Sequence, residues 1–309
     1  MALHLPNHLG RETHHRSWDR ELPPALKIVP GDELTLALRD PSDEQIHQDS
    51  TAEDLVRIDS GRMDPLTGPI WVEGAEAGDA LSIEILDIEI GSWGWSAILP
   101  ELGLLQDRYP GPYLKIWELT GGSVDIGRGI TFPLRPMIGV IGVAPGNPGA
   151  FPSTVPTEAG GNMDVKYTQV GSRVVLPVSA EGALLSLGDA HAIQGDGELN
   201  GTAIECEADV RIRVGLERNV SMTAPTVDTP DPSPEHVEPY RSFLGIGPDL
   251  WEAARDASQR AVDAVAAALR VEPEEAYVLL GIIAELRIHE IVDDPNWVVG
   301  CMVPLRVFA

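Results

Sequence analysis

The chain has 309 residues, 43% of them hydrophobic, enough for a sizeable core in one large or two interlocked β-rich domains with no need of disulfides. Its 48 carboxylates against 22 lysines and arginines give a formal charge of -26, and the only lysines are Lys27, Lys115 and Lys166. Such a field repels nucleic acid, membrane surfaces and strongly anionic substrates, and leaves neutral or cationic molecules and metal ions open.

In chain order, Leu34, Leu36 and Leu38 alternate with Thr35, Ala37 and Arg39, as a strand does. Leu81, Ile83 and Ile85 set a second period-two run that changes phase to Leu86, Ile88 and Ile90, which predicts a β-bulge or burial on both faces. Further apolar runs lie at 138–143, 173–178 and 183–188. Residues 202–214 alternate throughout, and place Glu205, Glu207, Asp209, Arg211 and Arg213 on the solvent face of one long strand. The proline-rich stretch 221–240 reads as a loop or crossing, with a domain boundary near Ser221. Beyond it, Leu250 to Ala268 recur at helical spacing, a second helix is predicted over about Glu274–His289 behind Pro273, and Trp297–Phe308 reads as a last strand. The expected architecture is mainly β. It is a jelly-roll-like sandwich or barrel over residues 1–220, with the linker, two helices and a final strand of 221–309 packed on it.

Cys206 and Cys301 form neither a CxxC pair nor a disulfide framework, which fits a reducing compartment. Met1 to Trp18 lacks the apolar core of a signal peptide, and no run reaches the ~18 apolar residues of a membrane span. A cytoplasmic protein is expected. There is no GxSxG elbow, HExxH, phosphate-binding loop or dinucleotide fingerprint. Neither cysteine lies near a lysine, so covalent catalysis is the weaker route.

Two polar stretches interrupt this pattern. In Thr157-Glu158-Ala159-Gly160-Gly161-Asn162-Met163-Asp164, paired glycines deliver an amide and a carboxylate to the next strand. Gly188-Asp189-Ala190-His191-Ala192-Ile193-Gln194-Gly195-Asp196-Gly197-Glu198 could be a plain hairpin loop around Asp196-Gly197. Its density of imidazole and carboxylates instead suits a divalent metal that keeps a position open for water, without the spacing of a calcium loop.

These residues resemble the acetamidase/formamidase family. The two stretches from Gly160 to Asp164 and from Gly188 to Glu198 are similar to its signature segments, as are Gly68 to Ala75 followed by Gly78-Asp79, Ala97 to Leu105, and Ile138 to Pro145. Ala276 to Asp294 is similar to its helix and final strand, and the resemblance runs from about Pro30 to Phe308. It implies hydrolysis of a short-chain amide, formamide or acetamide, to a carboxylate and ammonia. It also implies a jelly-roll-related fold, a divalent metal with zinc the usual suggestion, and a homo-oligomer.

On this basis Asp164 and His191 are candidate metal ligands, and Glu198 or Asp196 is the third ligand or the general base. The remaining carboxylate, or Glu158, would protonate the departing nitrogen, and Asn162 and Gln194 would hold the substrate amide or oxyanion. His15 is a further ligand if the N-terminal arm, with His14 and Trp18, folds over the site, and His47 is held in reserve. Trp93 and Trp95 read as core or pocket wall, Glu73 as structural, and His236 and His289 as surface and helix residues. A plain meander through 165–190 would put Asp164 and His191 at opposite ends of a sheet, so the site requires the chain to change sheets between them. A separation beyond about twice a ~2.1 Å metal–ligand bond would exclude shared ligation. The competing readings are the same chemistry on an aryl formamide or urea-like compound, and a non-enzymatic β-sandwich module rigidified by a cation.

Overall fold

The structure, a computed structural model, describes residues 7–220, 222–230 and 238–309. Most of the chain lies in two sheets. The first runs, in spatial order, through His8–Leu9, Glu33–Leu38, Ala208–Glu217, Ala80–Ile90, Arg173–Pro177, Thr226–Asp228, Tyr240–Gly247, Trp297–Pro304 and Glu285–Glu290. The second runs through Gly160–Asn162, Met137–Gly142, Leu185–His191, Glu205–Cys206, Trp93–Ile98 and Tyr113–Glu118, and Leu66–Val72 also pairs with Leu185–His191. Leu34, Leu36, Ile83 and Val210 from the first sheet meet Ile70, Ile138, Ile141 and Leu187 from the second in one buried cluster. Burial of that apolar surface is the main force holding the sheets face to face. The protein is mainly β, a sandwich with two helices, and among the described residues neither sheet closes into a barrel. No helix among them is long and apolar enough to cross a membrane.

The phase change in 81–90 is a bulge. Arg211 opposes Asp87 and Ile212 opposes Ile85, so Leu86 is passed over in the pairing. Helix α1, Leu250–Leu269, starts at Asp249, whose side chain accepts from the backbone N–H groups of Trp251 and Glu252. Its alanine face, with Ala257, Ala261 and Val265, packs on Phe243, Cys301 and Val303 of the first sheet.

Three expectations need correction. The run 202–214 is not one strand: Glu205–Cys206 belongs to the second sheet and Ala208–Glu217 to the first. Alternation survives the crossing because two strands of matching phase follow one another with Glu207 between them. Helix α2, Pro273–Ile283, stops short of His289, and Glu285–Glu290 pairs instead with Trp297–Pro304. That strand turns His289 and Glu290 inward and Leu286 outward, the inverse of an ordinary amphipathic pattern. Within the expected linker, Thr226–Asp228 is a strand between Arg173–Pro177 and Tyr240–Gly247. Pro232, Pro234, His236 and Ser221 lie outside the described residues. The strands after residue 221 continue the same sheet as those before it.

Candidate active site

The change of sheet that the site requires takes place. Arg173–Pro177 lies in the first sheet and Leu185–His191 in the second, so the chain returns to Asp164 from the other layer. Gly160–Asn162 and Leu185–His191 both flank Met137–Gly142, and His191 opposes Met137 on one side and Glu205 on the other. Asp164 Oδ1 then lies 3.7 Å from His191 Nδ1, within the reach of shared ligation.

Gly139 makes this possible. It sits on the central strand under Asp164 and Asp189, and a Cβ there would collide with both carboxylates. The backbone is bent to aim the acids: Asp64, Asp164, Asp189 and Glu198 have φ of 50, 44, 53 and 43°. Left-handed backbone is uncommon outside glycine and gathers at functional sites, where the surroundings hold it in place. Here the Asp164 N–H donates to Gly139 O at 3.3 Å, and the Asp64 N–H to Pro41 O at 2.9 Å.

The result is a cavity of about 550 Å³ with a floor of Asp64, Asp164, Asp189, Glu198, Glu205 and His191, joined by Asn162 and Asp293. Among the described residues, no lysine or arginine lines it. His191 is 1% exposed. Its Nε2 lies 3.0 Å from Asp189 Oδ1, 2.9 Å from Glu205 Oε2 and 4.0 Å from Glu198 Oε1. Burial pulls the imidazole pKa down, but the Asp189 and Glu205 carboxylates outweigh it and hold it well above its ordinary value. Burial and mutual repulsion push the acids the other way. Asp64 and Asp164 rise well above the usual range, each raised further by Asp189, and so does Glu198, raised further by Asp164. Burial carries Glu205 to about 7 even with His191 beside it.

The donor atoms of Asp164, His191 and Glu198 lie within 4.8 Å of one another, and so do those of Asp189, His191 and Glu205. Either group could hold a metal ion. Two further features fit a cation. Asp164 Oδ1 is buried and accepts no hydrogen bond, and among the described residues the surplus of buried carboxylates has one imidazole in the cavity to balance it.

The other candidates are distributed differently. Asn162 lines the cavity; its Nδ2 donates to Asp293 Oδ2 at 2.8 Å, and its buried Oδ1 accepts nothing. Gln194 is engaged at both ends: its Oε1 is 2.8 Å from His191 Nδ1, and its Nε2 donates to Asp164 O at 2.7 Å. Both ends of its side chain are thus taken up by the protein itself, one of them at the imidazole. Asp196 faces away from the floor, 3.1 Å from both Lys166 Nζ and Arg287 Nη1. Glu158 is at the surface, its side chain 69% exposed and 3.8 Å from Arg260. His15 Nε2 meets Ser186 Oγ at 2.9 Å, outside the cavity wall. His47 and Glu73 are exposed, and Trp95 is a pocket wall whose indole N–H donates to Asp40. His289 is fully buried in a strand.

Five acids of the cavity carried no role from sequence: Asp64, Glu101, Asp189, Glu205 and Asp293. Asp189 had a usable signal, because Asp-Ala-His on a strand puts Asp189 and His191 on one face. Glu205 was hidden by the unbroken alternation around it.

The acetamidase/formamidase family model matches residues 4–150 and 149–309. The chain belongs to the acetamidase/formamidase family. An acetamidase of Mycolicibacterium smegmatis is 31% identical over 348 residues, covering 86% of this chain and 84% of that protein. The crystal structure of an acetamidase from Bacillus halodurans superposes with a TM-score of 0.90 at 32% identity, covering 97% of this chain and 98% of the other. An acetamidase from Yersinia enterocolitica gives 0.87 at 30% identity, over 98% and 93% of the two chains. This member of the acetamidase/formamidase family is an amidohydrolase.

Proposed function

We propose that the protein hydrolyses a neutral primary amide to a carboxylate and ammonia with a divalent cation, zinc by its donor set, held at His191. Formamide and acetamide are the simplest such substrates. The observation that carries this reading is the cluster of buried acids around one imidazole with, among the described residues, no lysine or arginine in the cavity wall. In the first reading Asp164, His191 and Glu198 hold the cation, supported by the unpartnered Asp164 Oδ1. A second set, Asp189, His191 and Glu205, is favoured by Gln194. If its Oε1 accepts from Nδ1–H, Nε2 is left as the donor atom, and Nε2 is the nitrogen beside Asp189 and Glu205. Bound there, a divalent cation supplies acidification of a water and polarisation of the amide carbonyl.

The protein's own groups supply the rest. With Asp164, His191 and Glu198 holding the cation, the buried Glu205, its pKa raised to about 7, takes a proton from the attacking water as the carboxylate and returns it to the leaving nitrogen. Asn162, which lines the cavity and whose Oδ1 accepts no hydrogen bond within the protein, would accept an amide N–H of the substrate. The polar floor, 1–9% exposed at Asp64, Asp164, Asp189, Glu198 and Glu205, keeps bulk water from competing with these contacts. Metal analysis of purified protein, with ammonia release from formamide and acetamide before and after chelation, tests the proposal. Loss of turnover on chelation and recovery with zinc is the expected outcome, and turnover indifferent to chelation refutes it. Zinc titrations of Asp164→Asn and Glu205→Gln separate the two ligand sets.

A further inference from the structure

The cavity is much larger than its polar floor needs. A four-heavy-atom amide such as acetamide occupies roughly 100 Å³, taking ~30 Å³ per water-sized group. The cavity holds about 550 Å³. Much of the rest of its wall is apolar, with Leu55, Ile58, Met63, Trp95, Leu99 and Leu102 among its residues, while Ser60, Glu101, Thr154 and Thr202 also line it. Leu55, Ile58, Met63 and Leu99 pack with Trp95 in one hydrophobic cluster.

This wall is built rather than incidental. Leu55, Ile58 and Met63 come from two short 3-10 turns, Asp54–Arg57 and Ser60–Arg62, and the residues beside them. The turns are tied down by a paired exchange: the Gln45 amide donates to Asp59 O at 3.1 Å, and the Asp59 N–H donates to Gln45 Oε1 at 2.8 Å. Arg62 Nε donates to the buried Asp43 at 3.0 Å. Leu102 reaches the site from the other side of the chain, and Gly201 (φ 80°) admits it, since a Cβ there would collide with the Leu102 side chain. The Leu104 N–H to Leu199 O bond of 2.9 Å fixes that approach beside Glu198.

The orientation of a substrate follows from hydrogen-bonding chemistry. The floor is rich in acceptors, which suits an unsubstituted NH₂ with its two donors. The apolar wall is then left to the acyl side. We infer that the preferred substrate is a primary amide whose acyl group carries an apolar chain or ring of about five to eight carbons, a size that leaves room for water. Leu55, Ile58, Leu99 and Leu102 set that preference. The inference rests on the amide-hydrolysing reading of the polar floor.

The test is a series of acetamide, butanamide, hexanamide and phenylacetamide, with kcat/KM measured by ammonia release on the intact protein. Burying each methylene gives up to roughly fourfold, so kcat/KM rises at least tenfold from acetamide to hexanamide. A flat or falling series with acetamide readily turned over overturns the inference and leaves the hydrolytic reading intact. In Leu102→Asn the hexanamide-to-acetamide ratio of kcat/KM falls about tenfold, and Leu99→Ala serves if that variant does not fold. An unchanged ratio in a folded variant overturns the role of the wall. Calorimetric binding of hexanamide and acetamide to chelator-treated wild type is read independently of turnover. Tighter binding of hexanamide supports the apolar subsite whether or not any amide is hydrolysed, whereas zinc-loaded protein that hydrolyses none of the series refutes the hydrolytic reading. Equal binding overturns the subsite.

Discussion

Two buried histidines in this protein sit among acids and do different things. His289 contacts Ser242 Oγ at 2.9 Å through Nε2, and its Nδ1 lies 3.9 Å from Asp196, in the order of a hydrolytic triad. Ser242 and His289 are both 0% exposed and neither lines the cavity, so no substrate reaches that serine. Lys166 and Arg287 balance Asp196, and burial lowers the His289 pKa. His191 has the opposite surroundings: acids on several sides, no basic side chain in the cavity wall, and open volume beside it. The lesson is that a charge deficit next to a cavity, more than the mere grouping of His and Asp, marks the site.

The sharpest break of this comparison is a pair of alanine variants. His191→Ala abolishes cation binding and lowers amide turnover on the order of 10³-fold or more. His289→Ala leaves zinc stoichiometry unchanged and lowers the thermal midpoint. The reverse pattern, read by metal analysis and calorimetry, would exchange the roles of the two histidines. Next in size, Gln194→Ala weakens zinc affinity by roughly 10–100-fold, because the imidazole loses the contact that orients it. Competition with a chelator of known affinity measures this, and an unaltered affinity would remove Gln194 from the site's support. Asp196→Asn should cost about 1–3 kcal/mol, since it leaves Lys166 and Arg287 short of their shared partner. Denaturant unfolding reads that loss, and a cost of zero would show the network to be incidental.

The two regions also carry opposite pH signatures. Although burial alone would raise it, contacts with His289 and Lys166 hold Asp196 down at about 2, below its ordinary 3.8. A depressed carboxyl contributes stability above its unfolded pKa and loses it as pH falls through the folded one. Asp196 therefore supplies about 2 kcal/mol that disappears between pH 4 and 2. Burial raises Glu205 and Glu290 to about 7 from 4.5. Their contribution is complete below pH 4.5 and is lost as pH rises through 7. Chelator-treated protein is thus most stable near pH 4–5, and zinc raises its thermal midpoint most at neutral pH. A midpoint that climbs steadily from pH 4 to 8 in chelator would contradict the raised acids.

Much of this was legible in the chain. Period-two runs gave the strands, and the phase change at Leu86 gave a bulge, because both depend on side chains alternating along one segment. The polar breaks at Gly160–Asp164 and Gly188–Glu198 pointed to the cavity, since ligand-type residues and paired glycines are costly in a core unless they have a use. Two of the errors share one cause. Glu205 read as solvent-facing and Glu285–Glu290 as helix because each inverts the usual link between polarity and exposure.

What the sequence settled by itself was local: which segments extend or coil, where they break, the family, and the acidity of the whole. What only the tertiary structure decided was the role of each acid. Asp196 and Glu198 are two residues apart, yet one is neutralised by Lys166 and Arg287 while the other is buried against Asp164 and His191. Coulomb interaction and desolvation act through space, so the chemistry of a carboxylate is set by what the other sheet brings beside it.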